Sequence, residues 1–180
     1  GQRRPLTRPF MVIATENPIE FHGTYPLPEA QLDRFLVRLA IGYPSAEVEV
    51  DILKSHANRE PLEGIEPVLS LEQVRRIQEE VASVHVDDAI LEYIVEIVHA
   101  TRHDNRLELG VSTRGTLMLS RAARARAYAL NRDFVIPDDV AWVIPHVLPH
   151  RILLTAKTQH SGVTAQQVIA EIVGRIKVPV

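Results

Sequence analysis

At Pro44 the hydrophobic pattern of this chain changes period, and that switch limits what it can fold into. Before it stand two short apolar runs, Pro9–Thr15 (built on Phe10 to Ile13) and Phe35–Ile41, the second closing on Gly42-Tyr43-Pro44. Each has the length and composition of a buried strand. Two strands alone do not make a stable sheet. Residues 1–43 therefore read as the tail of a domain whose beginning is absent.

After Pro44 the apolar residues recur at helical spacing. Ser45 to Asn58 carries Val48, Ile52 and Leu53. Pro61 to Pro67 reads as a linker. Ser70 with Gln73 forms a capping box ahead of Val74, Ile77, Val81 and Val84. Asp87 caps a helix with a wide apolar face: Ile90, Leu91, Ile94, Val95, Ile97 and Val98. Asn105 to Gly110 reads as a loop, and Ser112 or Thr113 opens an Ala/Arg helix to about Leu130. Pro137 suits a first helical turn, with Asp138 and Asp139 complementing the helix dipole. Thr164 with Gln167 makes a second capping box before Val168, Ile169, Ile172 and Val173. The expectation is a mainly α chain: about two strands over 1–43, then a helical domain of five or six helices over 44–180.

Composition narrows the function. The 180 residues are 46% hydrophobic with a net charge of −3, which lacks the basic excess of a nucleic-acid footprint. There is no cysteine, which excludes disulfides and thiolate metal sites and fits a reducing cytosol. No apolar stretch approaches the roughly 18 residues that span a bilayer. Of 20 basic residues 17 are arginine, so an arginine draws notice only by its position. Arg121, Arg124, Arg126 and Arg132 along the Ala-rich helix read first as a solvated or subunit-facing strip. The pairs His99/His103 and His146/His150 have chelating spacing but no third ligand nearby in sequence, so no metal site is assigned.

Three residues stand out by position. Asn17 ends a buried run, where open α/β sheets bind ligands. Asn-Pro is also a common turn starter. Arg34 follows a long loop and is flanked by Leu32, Phe35 and Leu36. A held guanidinium stabilises charge on a transferred phosphoryl group, but Arg34 equally suits a pair with Asp33 or Glu29. Arg38, four residues on, is an alternative to it. Arg114 lies in the first turn of a helix, where a cation is unfavourable unless an anion shares the site. Gly110 and Gly115 give the spacing G-x-x-x-x-G, but Thr116 and Leu117 follow where a P-loop needs Lys and Ser/Thr.

The stretch VIATENPIEFHGTYPLPEAQLDRF (12–35) closely resembles the segment after the Walker B motif in MoxR-type AAA+ ATPases. LEYIVEIVHATR (91–102), GVSTRGTLMLSRAARARA (110–127) and VIPDDV (135–140) resemble that family's helical lid domain. The resemblance covers nearly the whole chain. It implies that Asn17 is sensor 1, orienting the attacking water, that Arg34 is an arginine finger reaching a neighbouring subunit's nucleotide, and that Arg114 is sensor 2. It further implies a cytoplasmic hexameric ring that hydrolyses ATP with Mg²⁺, chaperone-like remodelling or maturation of partner proteins, and von Willebrand factor A domain partners. Neither a Walker A lysine nor an apolar run ending in Asp-Glu occurs in these 180 residues. The chain is thus expected to be the C-terminal half of such an ATPase, binding no ATP or Mg²⁺ by itself and inactive alone. A non-enzymatic helical interaction module is the alternative expectation.

Overall fold

The structure, a computed structural model, describes residues 4–16, 27–56 and 64–179. In chain order the elements are α1 (Glu29–Leu32), α2 (Ala46–His56), α3 (Leu71–Ser83), α4 (Asp88–His103), β1 (Leu107–Leu109) and α5 (Thr113–Ala129). They continue with α6 (Pro137–Val147), a 3₁₀ turn (Pro149–Arg151), β2 (Leu153–Leu154), α7 (Ala156–His160) and α8 (Ala165–Val173). The fold is mainly α. Among the described residues no helix is long and apolar enough to cross a membrane.

Local chemistry sets the helix starts. Ser70, Ser112 and Thr164 each accept the backbone N–H three residues on, and Asp87 accepts that of Ala89. Each such cap satisfies a donor the helix cannot satisfy itself, worth about 1 kcal/mol. Helix α5 ends in a Schellman turn: Asn131 and Arg132 donate to the carbonyls of Tyr128 and Ala127. Asn131 takes φ 56°, the left-handed conformation that turn requires.

The core lies between α4, α5, α6 and α8. Ile94, Ile97 and Val98 of α4 meet Leu119 and Ala123 of α5, Val140 and Val147 of α6, and Ile169 of α8, all essentially inaccessible. The alanines of α5 let it lie close against α6, the most extensive helix contact. Burying each large aliphatic side chain contributes about 1.5–3 kcal/mol. The α5–α6 pair also carries a buried charge. Asp139 accepts from Ile136 N–H (3.0 Å), Arg132 (2.6 and 2.7 Å) and Arg126 (3.2 Å). Burial pushes its carboxyl up, but the hydrogen bonds from Arg132, Ile136 and Arg126 win and hold it below the ordinary carboxylate value.

Several expectations change. The two strands are not Pro9–Thr15 and Phe35–Ile41. Both stretches lack regular structure, and Phe10, Met11, Val12, Ile13, Leu39 and Ile41 are exposed. An extended segment becomes a strand only when a neighbour accepts its ladder, and neither stretch has one among the described residues. The strands that form, β1 and β2, are antiparallel and lie within the helical region, inside the stretch expected as a loop and after the 3₁₀ turn. The region after Pro44 is therefore not wholly helical. Helix α2 exists where expected, yet Val48, Ile52 and Leu53 are exposed rather than in the core.

Candidate functional site

The N-terminus of α5 is fixed from below by the end of α4. Thr101 donates to Val98 O (2.6 Å) and accepts from Val111 N–H (3.0 Å), while Arg102 Nε donates to Val111 O (2.9 Å). Gly110 is needed for this approach. A Cβ there would lie 2.7 Å from Arg102 Cα and 2.8 Å from Thr101 O, both backbone. The turn thus delivers Ser112 as cap and Arg114, exposed, into the first helical turn.

The segment after α1 docks onto this point. Ser112 Oγ donates to the Asp33 carboxylate at 3.0 and 3.1 Å. An anion at a helix N-terminus is favourable, so the Asp33 carboxylate complements the start of α5. Asp33 also pairs with Arg151 (3.4 Å), whose side chain is 0% exposed. Arg151 spreads its guanidinium over backbone carbonyls: Asp33 O and Leu36 O at 3.4 Å, Phe35 O, and Val147 O. Arg38 N–H donates to His146 O (2.9 Å), closing the same seam.

His150 completes it. Its Nε2 lies 2.6 Å from Arg151 and 3.3 Å from Phe35 O, and its Nδ1 is buried without a partner. The guanidinium can only donate, so at the shorter distance Nε2 accepts from it, the Phe35 carbonyl is a contact and not a hydrogen bond, and the ring is neutral with its proton on Nδ1. Burial, then the Arg151 charge, lowers the ring's pKa to about 4. Burial also pulls Arg151 below its ordinary value, the Asp33 carboxylate opposes this, and Arg114 adds to it. Arg114 therefore lies close enough to Arg151 for its charge to be felt there.

Of the three residues singled out from sequence, Asn17 lies outside the described residues. Arg34 is exposed and its backbone N–H donates to Gln31 O (3.0 Å). Neither Arg34 nor Arg114 has a side-chain hydrogen bond or ion pair among the described residues. Asp33, offered as a partner for Arg34, pairs with Arg151 instead. The structure thus brings Arg34 and Arg114 to the two sides of one contact, Asp33 to Ser112. Asp33, Ser112, His150 and Arg151 were not read as site residues. The one sequence signal was two charged or titratable residues, His150-Arg151, inside the apolar stretch Val147–Leu154.

Two further sequence features resolve. Among the described residues no group of three His, Asp or Glu side chains is placed to hold a metal. His146 lies against the Trp142 ring, with the centroids 5.4 Å apart. Three of the four arginines at 121, 124, 126 and 132 are spent on partners within the chain. Arg126 and Arg132 hold Asp139, Arg126 also covers the Trp142 ring at 4.3 Å, and Arg124 donates to Ala82 O on α3 (2.9 Å).

The comparisons with known proteins fall on both sides of this seam. The family described as the ATPase family associated with various cellular activities (AAA) matches residues 1–37, and the AAA lid domain matches 99–172. The chain is 39% identical over 188 residues to Chaperone MoxR1 of Mycobacterium tuberculosis, covering 99% of this chain and 49% of that protein. The chain belongs to the MoxR-type AAA+ ATPases. It is also 48% identical over 180 residues to the uncharacterized protein YeaC of Bacillus subtilis, covering all of this chain and 56% of YeaC. A crystal structure of a candidate ATPase from Cytophaga hutchinsonii superposes with a TM-score of 0.89 at 34% identity, over 98% of this chain and 56% of that one. The chain spans about half the length of the curated relatives it matches. In the docking seam, residues 33–38 lie at the end of the AAA match, and residues 112 and 146–151 lie inside the lid-domain match.

Proposed function

We propose that this chain is the C-terminal portion of a MoxR-like ATPase that couples MgATP hydrolysis to chaperone-like remodelling or maturation of partner proteins. In this reading residues 1–43 close the nucleotide-binding core and 44–180 form the lid. Asn17 serves as sensor 1, Arg34 as the arginine finger and Arg114 as sensor 2. The observation that carries it is the pair of exposed guanidiniums without partners among the described residues, Arg34 and Arg114, held at the two sides of the Asp33–Ser112 contact. Unlike Arg151 and Arg132, whose donors are spent on partners within the chain, both guanidiniums are free to meet an anionic ligand.

The remaining parts follow from the same reading. The exposed Phe10–Ile13 and Leu36–Ile41 stretches take their places as strands when the rest of the core supplies neighbours. In this reading the metal and the phosphate cradle are supplied by the longer protein of which the chain is part. The 180-residue chain alone is accordingly inactive. The assembly is a ring, hexameric and cytoplasmic by family resemblance, with von Willebrand factor A domain proteins as candidate partners.

The test restores the preceding portion found in the relatives and measures MgATP turnover and nucleotide affinity separately. Arg34→Ala should reduce turnover by about 10³-fold or more with nucleotide affinity unchanged. Arg114→Ala should weaken nucleotide binding as well. Turnover unchanged in Arg34→Ala would remove the finger assignment.

A further inference from the structure

Arg151 is a costly residue to bury. A guanidinium in the interior loses its hydration, and replacing a buried ion pair with apolar side chains is often neutral or stabilising. Fold stability alone gives little reason to keep a charge there. Its surroundings are nevertheless built for it. A Cβ at Gly115 would lie 2.4 Å from Val111 Cγ1 and 3.0 Å from Arg151 Cδ, so the bare first turn of α5 leaves room for Val111 and for the arginine stem. His150 stays neutral beside it and accepts one of its N–H groups (2.6 Å).

What Arg151 grips is the backbone around Arg34. It donates to the carbonyls of residues 33, 35 and 36, which bracket position 34 on both sides. The Asp33 carboxylate then carries the contact to Ser112, the cap of the helix that bears Arg114. The planar fork of arginine suits this multiple grip, which a lysine ammonium does not reproduce.

We infer that Arg151 is a positioning residue that makes the backbone of Arg34 move as one piece with the N-terminus of α5. Resting on the reading of Arg34 and Arg114 given above, this ties the two ends of neighbouring nucleotide sites together within one subunit. A phosphate drawn to Arg114 pulls on Ser112, Ser112 on Asp33, and the Arg151 grip carries that shift to Arg34. The state of a subunit's own site thereby sets the finger offered to the next site.

The experiment uses the longer, ring-forming protein and four variants: Arg34→Ala, Arg151→Gln, Ser112→Gly and the double Ser112→Gly/Arg34→Ala. Glycine is chosen at 112 because it is itself a good helix cap, so it deletes the hydroxyl to Asp33 while nearly sparing the helix. Arg151→Gln should lower turnover at saturating MgATP about tenfold or more, and Ser112→Gly about threefold or more, with nucleotide affinity within about twofold of wild type. The double variant should be no slower than Arg34→Ala alone, because a positioning residue has nothing left to position. A general structural defect would instead multiply the two losses, and that result overturns the inference. If Arg151→Gln fails to assemble, Ser112→Gly and its double decide. Arg34→Ala slow while Ser112→Gly turns over like wild type overturns the coupling and leaves the finger reading standing. Arg34→Ala at wild-type turnover removes both.

Discussion

Asp139→Asn isolates the charge at the centre of the α5–α6 contact. The Asp139 side chain is 1% exposed, and four N–H groups converge on its two oxygens. Asparagine keeps the shape but replaces one acceptor with an NH₂ that faces the Arg132 guanidinium, donor against donor. Removing one partner of a buried pair costs about 3–5 kcal/mol. Arg126 and Arg132 each retain 22% exposure and recover some hydration, so the expected loss is about 2–3 kcal/mol. Urea unfolding of the 180-residue chain, followed by far-UV circular dichroism, should show a midpoint lower by about 1 M at an m-value of about 2 kcal/mol/M. Asp138→Asn is the control. It removes an exposed acid from the same helical turn and should cost no more than about 0.5 kcal/mol. The pH dependence supplies a second check. The folded carboxyl sits below its ordinary value, so its stabilisation is present above about pH 4 and is lost as pH falls through the folded value. The gap between wild type and variant should be equal at pH 7 and pH 5 and close only in stronger acid. Equal losses in the two variants, or a gap that closes between pH 7 and 5, would refute the argument.

Two more outcomes follow from the seam. By NMR the His150 ring should remain neutral, with its proton on Nδ1, down to about pH 4, whereas an ordinary histidine titrates near 6.5. Because the folded value is depressed, its contribution is complete above about pH 6.5 and drains away as pH falls toward 4, up to about 3 kcal/mol in all; a midpoint near 6.5 would contradict the packing described. Gly110→Ala should lower the melting temperature by several degrees because backbone must move to admit the Cβ, whereas Gly64→Ala, which meets nothing within 4 Å, should leave it unchanged.

The helix starts were legible because capping is local: Ser70, Asp87, Ser112 and Thr164 each bond within three residues of themselves. The seam was not, because it joins residues far apart in the chain. Ser112 meets Asp33 across 79 positions, and Arg151 meets Phe35 across 116. Nothing near either residue announces the other. The arginine strip misled for the same reason. It was read from one stretch of chain, but Asp139, which neutralises two of its members, comes from the next helix. The strand expectation rested on apolar runs alone, and a strand is a property of two segments rather than one. The family resemblance singled out Arg34 and Arg114 together, but only the structure showed the Asp33–Ser112 hydrogen bond that joins the segments carrying them.

The central claim is that Arg34 acts on a nucleotide held by a neighbouring copy, and subunit mixing tests it most directly. In the longer protein, one population carries Arg34→Ala and the other has its phosphate-cradling loop disabled, so each is inactive alone. The account predicts that mixed rings regain MgATP turnover, about a quarter of wild type at equal amounts, because intact cradles then meet intact fingers across some interfaces. No recovery at any ratio, with mixed rings shown to form, would contradict it.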